Sequence, residues 1–575
     1  MGRALVARVH LGRADRALAL QRPRGDHTVT LRRLLARLSA FLLVLLLAAC
    51  ASVGTPPPEA RPRLVVFLVV DGLPQRQVLA YRDQLAPDGF ARFLDKGAWF
   101  SQANYAHAFT VTAAGHATML TGAYPHRTGI VANEWRDLQT GAEVYNTGDT
   151  AHRYIGHNTN PLDGTSPRNL KADTVGDVLR QADPRAKVIA ISGKDRGAIL
   201  PAGHRGTAYM YMGSTGRFAS TTYYMQQHPA WVEAFNAARP ADRWFKQEWK
   251  PLLPEAAYAR SLPDNQPWYG RAGGKLPMMM GTQADDAPGP GYYTGLLRSP
   301  FADELSLEFA RAAIRGEQLG QDEVPDILSV SLSGHDYVNH AYSAESRMSQ
   351  DHFLQLDRML QSFFRDLDQM VGPGRYVAVL TADHGFMPAP EVFKAQGQDG
   401  GRLNTGQFVG RVNAQLESAF GAAPLVFGSP GSALVVNRKL LAEKRLDFDA
   451  VAERARAALL QEPGLAAAYT RRELESRSRA GAPFFEAIEK TWHKDVAGDV
   501  QYVLKPGYMA SSNNATHGSP YPYDTNVPIL FWGPPWVKPG RVDSRVEVVD
   551  IAPTLARMLA LPPPPAAEGR PLPLP

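Results

Sequence analysis

The run Leu64-Val65-Val66-Phe67-Leu68-Val69-Val70 contains no polar residue and ends abruptly in Asp71-Gly72. It is too short for a helix and rich in β-branched valine, so it reads as a strand covered on both faces. Comparable runs recur at Lys187 to Ser192, Ile327 to Leu332, Tyr376 to Thr381 and Pro528 to Trp532. Helical patterns lie between them. The clearest, from Glu345 to Met370, puts Phe353, Leu356, Met359, Leu360, Phe363 and Leu367 on one face. Strands alternating with helices predict an α/β fold, a mostly parallel central sheet flanked by helices on both faces. Ligands of such sheets bind beyond the carboxyl ends of the strands, so the polar residues at the end of each run are the ones to examine.

At 575 residues the chain has room for about three or four domains, or for one large α/β body with insertions. The alternation assigns residues 64–203, 299–402 and 506–560 to one core. Two stretches break it and are expected to be inserted subdomains. Residues 204–298 are weakly periodic and rich in Trp, Tyr, Pro and Met (Trp231, Trp244, Trp249, Tyr292 and Met278-Met279-Met280 among them), and could lie over the site. Residues 403–505, with a strand near Ala433 to Asn437 and a helix near Phe448 to Leu460, look like an α+β unit. The Pro-rich tail at 561–575 is expected to run over the surface.

A single cysteine excludes a disulfide framework and a Cys-based zinc site, so any metal must be held by His and carboxylates. The formal net charge of +6 belongs to the leader, because residues 1–49 hold nine Arg against two Asp. The remainder is nearly neutral, and charge gives no argument for a nucleic-acid partner. Within the leader, Arg32, Arg33 and Arg37 precede an apolar run from Phe41 to Leu47, after which come Ala48, Ala49 and Cys50. This is the layout of a secretory signal. Leu47-Ala48-Ala49-Cys50 also matches a bacterial lipoprotein box, which predicts export to the periplasm and a membrane anchor through lipid on Cys50. Plain cleavage beside an incidental cysteine is the alternative. The Pro-rich segment at 50–63 reads as an extended tether.

The residues just past the strand ends are chemically consistent. The first run gives Asp71, the third gives Asp336 and His340 within Ser333-Gly334-His335-Asp336-Tyr337-Val338-Asn339-His340, and the fourth gives Asp383-His384. His517 stands shortly before the last run. Any one of these is as well explained as a helix cap or turn. Together they place a nitrogen and oxygen donor set that suits zinc where ligands bind. A nucleophile is available in Phe109-Thr110-Val111-Thr112-Ala113-Ala114-Gly115-His116-Ala117-Thr118, where small residues after Thr112 let a helix begin close to the sheet. Its N-terminal N–H groups would favour phosphate and an alkoxide. Thr112 could equally be only an N-cap, with Thr110 and Thr118 as rival hydroxyls. His107, His116 and His335 are assigned to packing and to hydrogen bonds behind the site.

These motifs, with Thr121-Gly122-Ala123-Tyr124-Pro125-His126-Arg127-Thr128-Gly129-Ile130 and Asn133, resemble the alkaline phosphatase superfamily. Within it they are most similar to the phosphate-irrepressible alkaline phosphatases with a Thr nucleophile, and related to the nucleotide pyrophosphatase/phosphodiesterases. The resemblance runs from Leu64 to about Pro573. It implies two zinc ions, one held by Asp336, His340 and His517, the other by Asp71, Asp383, His384 and the Thr112 oxygen. It further implies attack by Thr112 on a phosphate monoester, then hydrolysis of the phospho-threonine to release inorganic phosphate. Asn133, Lys194 and Arg196 match the groups that hold the phosphoryl oxygens. Lys194 and Arg196, two apart in Ser192-Gly193-Lys194-Asp195-Arg196, would point the same way from an extended segment and suit a dianionic terminal phosphate. This pair favours monoesters over a phosphodiesterase or nucleotide pyrophosphatase activity. A non-catalytic metal-binding lipoprotein is a remoter alternative. The absence of a suitably placed Cys argues against the sulfatases.

Overall fold

The structure is a computed structural model that describes residues 61–575. The leader at 1–49, Cys50 and most of the tether at 50–63 lie outside the described residues. The elements that position the site are, in chain order, strands β1 (Leu64–Val70), β2 (Ala98–Asn104), β3 (Val188–Ser192), β4 (Thr207–Met212), β5 (Arg217–Ala219), β6 (Asp326–Leu332), β7 (Tyr376–Thr381), β8 (Val426–Ser429), β9 (Ala433–Val436), β10 (Leu465–Thr470), β11 (Val500–Leu504), β12 (Ile529–Trp532) and β13 (Gly540–Glu547). The helices that bear on it are α1 (Thr112–Thr121), α2 (Asp195–Ala202), α3 (Pro300–Glu317), α4 (Gly334–Tyr342), α5 (Arg347–Met370), α6 (Thr405–Phe420) and α7 (Phe448–Leu459).

Nine strands form the main sheet in the order β13-β2-β12-β7-β1-β6-β3-β4-β5. β1 is the central strand, and every residue of it is buried. Each such Val, Leu or Phe contributes roughly 1.5–3 kcal/mol, which is why an all-apolar run settles here and not at an edge. β1 pairs in parallel with β6 and β7, and β6 with β3. β12 is antiparallel to β7. The register aligns Val70 with Leu332, Val69 with Thr381 and Ser331 with Ser192, so the loops after four neighbouring strands emerge level with one another. That alignment brings the polar residues together.

The expected mostly parallel α/β sheet is present, with local differences. α5 starts at Arg347, not at Glu345, because the Ser346 side chain accepts a hydrogen bond from Ser349 N and caps the helix there. Five of the six residues expected on its apolar face are buried, and Met359 is partly exposed. The expected boundary at 203 moves outward, because β4 and β5 extend the main sheet through Ala219. Much of the remaining aromatic stretch packs onto α3 and α5 instead of standing apart. Phe309 of α3 stacks on Phe218 and meets Tyr209 and Trp231, and Trp249 donates to Asp351 of α5.

An antiparallel sheet, β8-β9-β11-β10, lies within residues 403–505 with α6, α7 and a hydrophobic cluster around Phe408, Val412, Val451 and Leu459. The tail is anchored more firmly than its proline content suggests. Leu572 is buried, and the Glu568 amide donates to Gly122 O at the end of α1. Among the described residues no helix is long and apolar enough to cross a membrane.

Candidate active site and metal centre

Two close approaches set the frame of the site. Gly72 turns the chain after Asp71 with φ +71°, and a Cβ there would lie 3.0 Å from Asp336 Oδ1. Gly115 lets α1 rest on the loop after β7, since a Cβ would overlap the Asp383 backbone carbonyl. The helix begins beside the sheet, as its small residues predict.

Thr112 is the first helical residue of α1, and extended Val111 precedes it without a side-chain cap. Thr112 is therefore not an N-cap, and its Oγ1 lies 3.4 Å from His384 Nε2. The rival hydroxyls are engaged elsewhere: Thr110 donates to Ser519 O at 2.9 Å and Thr118 to Ala114 O at 2.8 Å.

His384 Nε2 also lies 3.5 Å from Asp71 Oδ1 and 3.4 Å from Asp383 Oδ2. A second set forms on α4, where Asp336 and His340 are one turn apart. Asp336 Oδ1 is 3.4 Å from His340 Nε2 and 3.6 Å from His517 Nε2. Asp71, Asp336 and His384 also meet, so Asp336 stands between the two sets. Donors bound to one tetrahedral zinc at about 2.0–2.2 Å would be roughly 3.3–3.6 Å apart, which is the spacing seen in both.

Donor chemistry fits as well. His340, His384 and His517 place Nδ1 at 2.9, 2.8 and 2.9 Å from the carbonyls of Ala515, Gly385 and Thr110. At His384 and His517 Nδ1 donates there, which leaves the Nε2 lone pair facing the centre, whereas Nδ1 of His340 also lies 3.0 Å from Asn513 Nδ2. Asp71 Oδ1, Asp336 Oδ1 and Asp383 Oδ2 are buried without a hydrogen-bond partner among the described residues. Buried oxygens of this kind are costly unless a cation meets them. Burial, then the Asp383 charge, pushes the Asp71 carboxyl well above its usual range. Burial works the same way on Asp336, but His340 and Lys194 outweigh it and hold that carboxyl well below. Burial, then neighbouring His384, keeps His517 neutral by lowering its pKa.

Above these residues opens a cavity of about 810 Å³ lined by Asn133, Lys194, Arg196, Asp336, His340 and His517. Asn133 Oδ1 accepts from Ala113 N at 2.9 Å, which leaves its amide Nδ2 free to donate. The expected extended geometry of the Lys194 segment is not what forms. Lys194 immediately precedes α2 and Arg196 lies in its first turn, because the chain turns helical as it leaves β3. Both side chains still reach the same cavity. Lys194 Nζ sits between Asp71 Oδ2 at 2.7 Å and Asp336 Oδ2 at 2.5 Å, close to the donor sets.

Sequence reasoning missed the residues that hold this pair. Tyr145 donates to Asp195 Oδ1 at 2.5 Å and accepts from Arg196 at 3.1 Å, and Lys194 Nζ is 5.0 Å from the centre of the Tyr337 ring. Tyr337 adjoins Asp336 in sequence and could have been picked out, whereas Tyr145 has no local signal.

His116 and His335, assigned from the sequence to hydrogen bonds behind the site, and His107, assigned to packing, make such contacts. His116 bridges Thr112 O and Ser331 Oγ, and His335 joins Gln77 to His352. His107 packs edge-on against Tyr105, and burial lowers its pKa to about 3.

The model of the Type I phosphodiesterase / nucleotide pyrophosphatase family matches residues 65–525, a span that includes every one of these donors. The chain belongs to that family. Within the alkaline phosphatase superfamily, this phosphodiesterase/pyrophosphatase-family chain is similar to alkaline phosphatase PafA of Elizabethkingia meningoseptica, 35% identical over 89% of this chain and 94% of the relative. It is 34% identical to alkaline phosphatase PhoV of Synechococcus elongatus over 90% and 93% of the two chains. The crystal structure of wild-type PafA superposes with a TM-score of 0.83 at 32% identity, covering 89% of this chain and 98% of that one. This family member is thus a phosphoric ester hydrolase, and divalent metal ions are implied at its Asp and His clusters.

Proposed function

We propose that the chain is an exported, two-zinc alkaline phosphatase that hydrolyses phosphate monoesters through a phospho-threonine on Thr112 and releases inorganic phosphate. One observation carries this reading: Thr112 Oγ1 opens α1 where the inner donor set converges, 3.4 Å from His384 Nε2. Asp71, Asp383, His384 and Thr112 would hold one ion, and Asp336, His340 and His517 the other. When bound, the ions supply positive charge that eases loss of the Thr112 proton and offsets charge on the departing oxygen.

The rest falls to the chain's own residues. Thr112 attacks phosphorus in line while the N-terminus of α1 favours both its alkoxide and the phosphate. Asn133 Nδ2 and the guanidinium of Arg196, steadied by Tyr145 and Asp195, donate to nonbridging oxygens. Lys194 adds a point charge. Water then cleaves the phospho-threonine in a second in-line step. Phosphoryl transfer asks a protein mainly for positioning and charge, and this arrangement offers both.

A terminal phosphate presents three unesterified oxygens to these cations and a diester only two, which supports monoesters. The family match favours the second reading, a phosphodiesterase or nucleotide pyrophosphatase. Hydrolysis of an aryl phosphate and of its methyl diester separates them. Lys194→Ala and Arg196→Ala are expected to lower kcat/KM for the monoester about 100-fold or more and for the diester less than tenfold. Equal losses would favour the diesterase. Export and the lipid anchor rest on the leader alone. Mass spectrometry of the mature N-terminus is expected to find a diacylglyceryl Cys50, and an unmodified or differently placed start would refute the anchor.

A further inference from the structure

Asp71 and Asp383 belong to one donor set, Asp336 and His340 to the other, and the backbone of Gly72 lies between the two. Its N–H donates to Asp383 Oδ1 at 3.0 Å, and its carbonyl accepts from Asn339 Nδ2 at 3.1 Å. Asn339 directly precedes His340 on α4. The side on which a Cβ would stand faces Asp336, which such an atom would crowd at 3.0 Å. A residue without a side chain thus touches both sets, and the Asn339 amide ties the loop after β1 to the helix that carries Asp336 and His340.

A one-way run of hydrogen bonds holds this amide from behind. Asn339 Oδ1 accepts from Ser349 Oγ at 2.6 Å, and Ser349 Oγ accepts from Gln77 Nε2 at 2.7 Å. Gln77 Oε1 is then left as the acceptor 2.9 Å from His335 Nε2, so the imidazole donates to it. His335 Nδ1 continues the run to His352 Nδ1 at 3.2 Å. The short helix Gln75–Ala80, α4 and α5 all contribute to it. Asn339, Ser349, His335 and His352 are fully buried and Gln77 nearly so, so a lost partner would not be replaced by water. Because each link donates in the same sense, the orientation of the amide is fixed, with Nδ2 toward Gly72 O.

We infer that Asn339 is a positioning residue: through Gly72 it sets how far apart the two donor sets stand, and Ser349 and Gln77 hold its amide for that task. The inference rests on the two-metal phosphatase reading. In-line transfer needs the sets at a fixed separation, since one serves the attacking oxygen and the other the departing one. A shift of about 1 Å in such a frame costs about 100-fold in rate. Asn339 is buried and is not among the residues that line the cavity. Its loss therefore acts on spacing and turnover, and not on substrate binding or on the number of ions held.

The test uses the full chain. Metal analysis and competition titration give zinc content and affinity, and phosphate release from phenyl phosphate gives kcat and KM. Electron paramagnetic resonance of the cobalt-loaded protein reads the magnetic coupling between the two ions, which depends on their separation. Asn339→Ala is expected to keep two ions per chain with affinity about tenfold weaker, and to change the cobalt coupling. Its kcat is expected to fall about 30- to 100-fold while KM stays within about threefold. Ser349→Ala lies off both ligand-bearing segments and frees the amide without removing it. It is expected to change the coupling in the same direction and to lower kcat less, about five- to tenfold. Unchanged coupling in both variants, whatever the fall in kcat or Tm, would overturn the inference, and Ser349→Ala decides alone if Asn339→Ala does not fold. A wild-type chain that holds fewer than two ions, or releases no phosphate, would overturn the two-metal phosphatase reading and the positioning role with it.

Discussion

Thr112 differs from the hydroxyls around it in having no competing backbone acceptor to satisfy, since Thr110 and Thr118 each donate to a carbonyl. A hydroxyl with no such partner, placed at a helix N-terminus and beside unpaired carboxylate oxygens, is the group whose proton is most easily removed. Thr112→Ala is expected to abolish labelling of the chain by radioactive phosphate from an aryl monoester and to lower kcat about a thousandfold or more. Persistent labelling would move the nucleophile elsewhere, to Thr110 first. At this scale the sequence was informative wherever a chemical residue comes within a few positions of a strand end, as at Asp71, Asp336, Asp383 and His384. It was silent on Tyr145, which reaches Arg196 from 51 positions away through a contact that no local pattern encodes.

Elements bring those residues together through register, and the strand starts matter as much as the strand ends. Asp326 begins β6 and accepts from Lys187 N at 2.7 Å and Gly320 N at 2.9 Å, tying the neighbouring strand and the preceding turn to it. Burial outweighs these bonds and raises its pKa from 3.8 to about 6. A raised folded-state value means that the folded chain holds the proton more tightly than the unfolded chain. The associated stability is therefore present below about pH 4 and is lost as pH rises through about 6. Against Asp326→Asn, which does not titrate, wild type is expected to lose on the order of 1–2 kcal/mol between pH 4 and pH 7 in urea unfolding. A constant difference across that range would show that the carboxyl is ionised throughout. The central strands were legible because complete burial leaves an unbroken apolar run. Strand β4 and the short edge strand β5 were not, because they fall in a weakly periodic stretch rich in tyrosine and methionine. Helix starts were legible only to within a cap residue such as Ser346.

For the whole molecule, the governing fact is an excess of buried negative charge beyond the carboxyl ends of the central strands of the main sheet. Asp71, Asp336 and Asp383 are all buried there, and Lys194 is the buried cation that touches two of them. One ammonium cannot balance three carboxylates, and the burial that drives Asp71 toward protonation is the strain this imbalance produces. The proposed divalent ions would relieve it, and they can do so only in the folded arrangement, because the ligands are spread along the chain between residues 71 and 517. Binding that is confined to the folded state adds stability by mass action, about 4 kcal/mol when free metal is a thousand times its Kd. Stripping the protein with a strong chelator is therefore expected to abolish phosphate release and to lower the Tm by roughly 5–10 °C. Zinc is expected to restore both more effectively than magnesium, since three imidazoles in the donor sets suit zinc. The core of residues 403–505 contains none of the ligands, so calorimetry is expected to show the loss mainly in the transition that includes the large sheet. An unchanged Tm and full activity after complete removal of metal would mean that the carboxylates are balanced by protons and that the two donor sets hold no ion.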